Sequence, residues 1–255
     1  MLSVTAALMS VFRRHVASSG TSAQRDDIDI SPDAVATASA RRMSQLHVVS
    51  TDWQHTGSWL RSGVITYHDS SARQRTYETV ERTTRNGDLD GVDVLAFLNS
   101  KRLTGRHVVL VLSYRPPVDR VCVEFPAGLA EENETAEETA LRELREETGF
   151  VATVSDETSP ELLLDPWKSS ENTKLVIVNV DGDDEQNYEN MVNLGQNQKL
   201  DEAEFLDVFI VPVKGLLDRL CRYVDEMGFG IDGKVYTFAL ALELSQKWDR
   251  DLTEN

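Results

Sequence analysis

The stretch from Gly128 to Phe150, GLAEENETAEETALRELREETGF, decides how this chain is read. From Thr135 to Thr148 it is rich in Ala, Leu, Glu and Arg and holds neither proline nor glycine, the composition of a helix. Ala136, Ala140, Leu141 and Leu144 recur at three- and four-residue spacing and mark its buried stripe. Gly149 stands where the helix must stop, as the left-handed residue just past its end. The last turns carry an anomaly. Glu143, Glu146 and Glu147 fall at i, i+3 and i+4, so three carboxylates crowd one face. They do so at the end where the helix dipole already disfavours negative charge. A hard divalent cation removes the conflict, because Mg²⁺ and Mn²⁺ take carboxylate, water and phosphate oxygens as ligands. Arg142 is placed to hold one of the carboxylates by a charge-assisted hydrogen bond. Three acids alone fit a solvated helix face better; the glycines at both ends and the arginine in register reverse that reading.

Composition sets outer limits. The 255 residues suffice for one large domain, or a main domain with a smaller companion. Apolar residues at 40% and charged residues at 27% are ordinary for a globular protein. The net charge of -17 repels nucleic-acid phosphates over much of the surface, which argues against a polynucleotide partner. It repels small diphosphates too, so a site for them needs local cations. No apolar run approaches the roughly 20 residues of a membrane span. Cys122 and Cys221 suggest no disulfide framework, and their strand and helix patterns suggest buried free thiols.

Residues 1–45 read as leader and linker, 46–90 as a small β-rich subdomain and 91–250 as the main domain. The first 25 residues carry Arg13, Arg14, His15 and Arg25 and no acid before Asp26, which resembles a mitochondrial presequence. A leader with no address, in a cytosolic or nuclear protein, fits equally. Ser58–His68 and Arg73–Thr84 are extended stretches in a hairpin-like arrangement. Residues 92–98, 107–114, 120–125, 173–180 and 205–213 read as strands, and 215–227 and 235–248 as helices. Strands before and after a central helix, with two late helices, make an α/β layered domain. Asp181–Glu185 is acidic but lacks the spacing of a calcium loop, and reads as a surface turn.

Gly128, Glu134, Arg142, Glu143, Leu144, Glu146, Glu147, Gly149 and Phe150 fill every specified place of G-x5-E-x7-R-E-U-x-E-E-x-G-U, where U is apolar. The stretch therefore resembles the box of Nudix hydrolases, which cleave a nucleoside diphosphate linked to another group with a divalent cation. The resemblance implies an α/β/α Nudix sandwich preceded by the small β-rich subdomain. Flanking stretches extend it over roughly residues 55 to 248. Arg75–Arg82, Ser113–Pro117, Val123–Gly128 and Pro166, sixteen residues past Phe150, look like the ADP-ribose and ADP-sugar pyrophosphatase branch. That branch splits ADP-ribose into AMP and ribose 5-phosphate and acts as a homodimer.

Position by position, the resemblance implies metal ligands at the Ala127 carbonyl, Glu143, Glu146 and Glu147, with Mg²⁺ the expected ion and Mn²⁺ an alternative. Glu147 also counts as catalytic. Glu134 is implied to be a structural partner of this set. Glu204 matches a loop glutamate proposed as general base, with Glu202 close enough to take the assignment instead. Arg115 and Arg82 match phosphate contacts. Trp59 and Tyr77 match the pair that sandwiches adenine, Glu78 a neighbour of the base, and Asp165 a contact of the terminal ribose. Some of these contacts are implied to cross the dimer interface. Two other functions fit the same box: hydrolysis of a different nucleoside diphosphate derivative, such as a dinucleotide or NADH, and non-catalytic sensing of ADP-ribose. In each the ligand is a small nucleotide, not nucleic acid or membrane.

Overall fold

The computed structural model describes residues 32–253 apart from 86 and 203. Two compact units divide the chain, residues 1–47 with 68–74, and residues 48–67 with 75–255. In the first unit, helix α1 (Pro32–Met43) occupies a stretch that composition suggested was linker. Its alternating alanines favour a helix, with Pro32 at the first position, but supply no apolar stripe for the eye to follow. The tight turn after His68 is closed by Asp69, whose carboxylate accepts the backbone N–H groups of Ser71 and Arg73. The arginines of the expected presequence lie outside the described residues.

Strands β1 (His47–Thr56), β2 (Leu60–His68) and β3 (Gln74–Arg82) form a three-stranded sheet in that order. The larger sheet combines β4 (Gly91–Asn99), β5 (His107–Arg115), β6 (Arg120–Glu124), β7 (Ala127–Leu129), β8 (Thr153–Thr158), β9 (Leu162–Leu163), β10 (Asn172–Asp181), β11 (Leu206–Pro212) and β12 (Gly230–Ile231). Its spine runs β12-β6-β5-β4-β10-β8, and β4 pairs with β10 in parallel, Gly91 opposite Thr173. Helices α2 (Ala136–Thr148), α3 (Glu185–Val192), α4 (Leu216–Met227) and α5 (Gly233–Thr253) complete the chain.

Strand alternation explains the layers. Val92, Val94, Ala96 and Leu98 of β4 pack with Val176, Val178 and Val180 of β10 against Ala136, Ala140 and Leu144 of α2. Leu95 of β4, Val108 and Leu110 of β5 and Val123 of β6 pack instead with Leu216 and Leu220 of α4 and Val235 and Ala239 of α5. Each fully buried leucine contributes roughly 1.5–3 kcal/mol. The result is the expected α/β/α sandwich, with the acidic helix pressed on one face. The cysteines correct an expectation: both are free, but Cys122 is half-buried and Cys221 exposed. The buried stripe of α4 runs through Leu216 and Leu220, and Cys221 comes about 100° further round the helix.

Candidate active site

The acidic helix is fixed at both ends. Thr135 caps it, accepting the Glu138 N–H, while the Glu138 carboxylate accepts the Thr135 N–H at 2.9 Å. At the other end Gly149 has φ 75°, and a Cβ there would stand 2.6 Å from Asn190 Oδ1. Asn190, fully buried on α3, donates to the Thr148 carbonyl at 2.8 Å. Gly128 leaves the space that the Glu143 carboxyl fills, and a Cβ at 128 would collide with it. The two box glycines thus mark two close approaches to α2.

Arg142 organises the acids. It donates through Nε and Nη2 to the two oxygens of Glu134, through Nη1 to Glu143 at 2.8 Å and Glu146 at 3.1 Å, and to the Leu129 carbonyl at 2.9 Å. The Arg142 fork holds the Glu134 carboxyl down at about 2. Glu147 meets the reverse situation. It is buried, and its one hydrogen bond of note comes from the Ala127 N–H at 3.0 Å. Desolvation, then the charges of Glu143 and Glu204, push it up to about 8. Glu143 is raised as well, by burial first, with Arg142 opposing and Glu146 and Glu204 adding repulsion.

These residues open on a cleft of about 870 Å³, lined by eleven carboxylates and five cations. Ala127, Glu143, Glu146 and Glu147 all border it. Asp201 and Glu204 border it too, whereas Glu202 does not; the Asp201 N–H donates to Glu204 at 2.9 Å. Trp59 stands at its margin, in the turn between β1 and β2, with 64% of its surface exposed. Arg115 reaches it from the end of β5 in a two-pronged pair with Glu124, at 2.9 and 2.5 Å, and Arg82 from β3 in a pair with Glu171.

Three expected residues stand elsewhere. Tyr77 and Glu78, on β3, border a separate hollow of about 700 Å³ with Trp167 and Lys168, so within one chain Trp59 and Tyr77 do not enclose one ring. Asp165 is turned to Lys168 at 2.8 Å, with φ 42°, and its neighbour Leu164 lines the cleft in its place. Other cleft residues had no sequence signal. Lys234, at the start of α5, sits 2.9 Å from the buried Asp93, whose other oxygen accepts the Thr173 hydroxyl. Burial alone would lower the Lys234 pKa, but Asp93 and Asp232 outweigh it and raise it. Lys199 borders the cleft from the loop that carries Glu204.

The NUDIX domain model matches residues 89–224, more than half of the chain. The chain belongs to the Nudix family. It is 39% identical over 197 residues to the ADP-sugar pyrophosphatase of Mus musculus, covering 77% of this chain and 87% of that one. It is 32% identical over 195 residues to the ADP-ribose pyrophosphatase of Saccharomyces cerevisiae, covering 74% and 79%. A solved structure described as an ADP compounds hydrolase shares the fold with a TM-score of 0.54 at 19% identity, over 80% of this chain and 96% of that one.

Nudix hydrolases require a divalent metal, and the residues present fit one. The donors are hard oxygens, and the buried Glu147 is held near its neutral form by desolvation and two neighbouring carboxylates. A cation against it removes both penalties. Among the described residues no three acids, histidines or cysteines stand together closely enough to hold a metal ion as they are placed, and Arg142 bonds both Glu143 and Glu146. The arginine thus ties the two acids to one another through its guanidinium.

Proposed function

We propose that this Nudix chain hydrolyses the diphosphate of ADP-sugars, with ADP-ribose the first substrate to try, giving AMP and a sugar phosphate. The observation that carries the reading is the convergence, in one cleft, of Glu143, Glu146 and Glu147 with Arg82, Arg115, Trp59 and Glu204. The printed activities of the mouse and yeast relatives point to the same substrate class.

Glu143, Glu146, Glu147 and the Ala127 carbonyl would hold Mg²⁺, or Mn²⁺ in its place. Once bound, the ion supplies positive charge to the diphosphate oxygens and makes the attacking water more acidic. The chain's own groups do the rest. Arg115 and Arg82 exchange their carboxylate partners for the diphosphate and hold it in line. Glu204, on a loop open to solvent, takes the proton of the attacking water. Trp59 offers a flat face to the adenine.

Tyr77 and Glu78 lie in their own hollow, and the sheet that carries them exposes Val48, Val49, Leu60 and Tyr77. We extend the proposal to a homodimer in which Tyr77 and Glu78 serve the partner's cleft. The basic leader adds the proposal of mitochondrial import, which a fusion of residues 1–45 to a fluorescent reporter tests. Product analysis decides the activity: incubation with ADP-ribose, other ADP-sugars, NADH and dinucleotides under Mg²⁺ or Mn²⁺ is expected to release AMP fastest from an ADP-sugar. Retention of ADP-ribose without AMP release identifies a sensor and overturns the reading.

A further inference from the structure

Of the five cations that line the cleft, four are held by carboxylates: Arg82 by Glu171, Arg115 by Glu124, Arg142 by Glu134, Glu143 and Glu146, and Lys234 by Asp93. Lys199 is the fifth, and among the described residues it forms no ion pair. This is unexpected in a chain of net charge -17, with Asp201 and Glu204 following in the same loop. The position of Lys199 is nevertheless fixed. Its N–H donates to the Glu146 carbonyl at 2.7 Å. The preceding Gln198 donates through its amide to the Glu147 carbonyl at 2.7 Å and to the Leu206 carbonyl at 3.1 Å. The residue is thus pinned by its backbone to the turn of α2 that carries the acids, while its side chain stays solvated. An unpaired ammonium gains an anion without first giving up a partner, which Arg82 and Arg115 cannot do.

We propose that Lys199 is the cation that first engages the substrate's diphosphate, from the helix side of the cleft, with Arg82 and Arg115 on the strand side. The inference rests on the diphosphatase reading above and names a further substrate-binding residue for it. Lys199 contributes binding common to the ground and transition states, so its loss raises KM and leaves kcat nearly unchanged. The side chain is exposed and carries none of the core, so replacing it leaves the fold intact.

The test compares wild type, Lys199→Ala, Lys199→Arg and Lys199→Glu. Calorimetry with Mg²⁺ and a methylene-bridged ADP-ribose, and separately with magnesium pyrophosphate, reads binding without turnover. Lys199→Ala is expected to weaken both probes about 5- to 20-fold, Lys199→Glu more, and Lys199→Arg to stay within about 3-fold of wild type. KM for ADP-ribose follows the same order, with kcat within about 3-fold throughout. Unchanged affinity in Lys199→Ala, or an arginine variant as weak as the alanine one, overturns the proposal, and so does a wild type that binds neither probe. A wild type that binds the analogue but releases no AMP sinks the hydrolase reading instead, and the affinity series still judges Lys199.

Discussion

At the level of single residues, Glu147 and Glu134 show how one helix treats two glutamates in opposite ways. Glu147 is buried among like charges with little to neutralise it, which raises its pKa and which a bound cation would offset. Glu147→Gln keeps the shape and removes the charge; turnover is expected to fall by about 10² to 10³ with an unchanged circular dichroism spectrum. Near-normal release of AMP by that variant would refute its role. Glu134 is satisfied within the chain by Arg142, Thr139 and the Glu131 N–H. Its folded pKa of about 2 lies below the ordinary glutamate value of about 4.5, so the native state binds fewer protons than the unfolded chain between those limits. Its stabilisation is therefore complete above about pH 4.5 and disappears as the pH falls toward 2. Urea titrations should show Glu134→Gln less stable than wild type by a constant margin at pH 6 to 8, and that margin closing on acidification. A gap that persists at pH 2 contradicts the assignment.

At the level of elements, the end of α2 depends on α3. Gly149→Ala forces a side chain into the left-handed region and against Asn190, and is expected to cost about 1–3 kcal/mol of stability by urea titration. Asn190→Ala leaves the buried Thr148 carbonyl without its donor, at a comparable cost of about 1–3 kcal/mol. If both variants unfold at the wild-type midpoint, the clamp is not there. The same pair shows which elements can be read from residues alone. The limits of α2 were legible because its stripe, its helix-forming composition and its terminal glycine are all local. Helix α3 was not, since Asn187 and Asn190 are the residues it buries, and buried amides leave no apolar period. Strand β7 is three residues long and exists through its pairing with Gly91–Asp93 of β4. In the site, Glu143, Glu146 and Glu147 could be placed by register within the box, and Arg115 by the flanking Ser113–Pro117 stretch. Lys234 and Asn172 could not, because the fold alone brings residues so far apart in sequence to one cleft. Tyr77, Glu78 and Asp165 were placed by likeness, and the structure sets all three outside it.

At the level of the whole molecule, the separate hollow around Tyr77 makes the dimer proposal testable. Sedimentation is expected to find two copies of the chain. Tyr77→Ala and Glu147→Gln should each be poorly active alone. Unfolding them together and refolding the mixture should recover about a quarter of wild-type efficiency, because half the dimers are mixed and each mixed dimer has one intact site. No recovery means that Tyr77 does not serve a partner. The central parallel pairing of β4 with β10 has a further consequence. Its partners are separated by 82 residues, Asn172 being tied to Asp90 at its mouth, and the whole acidic helix lies in the interval. During synthesis the helix therefore leaves the ribosome well before the strand that completes its binding face. Until Asp181 has emerged the nascent chain has a half-built core, and a fragment released before Asn172 should be a client for chaperones and proteases, with no cooperative melting transition of its own.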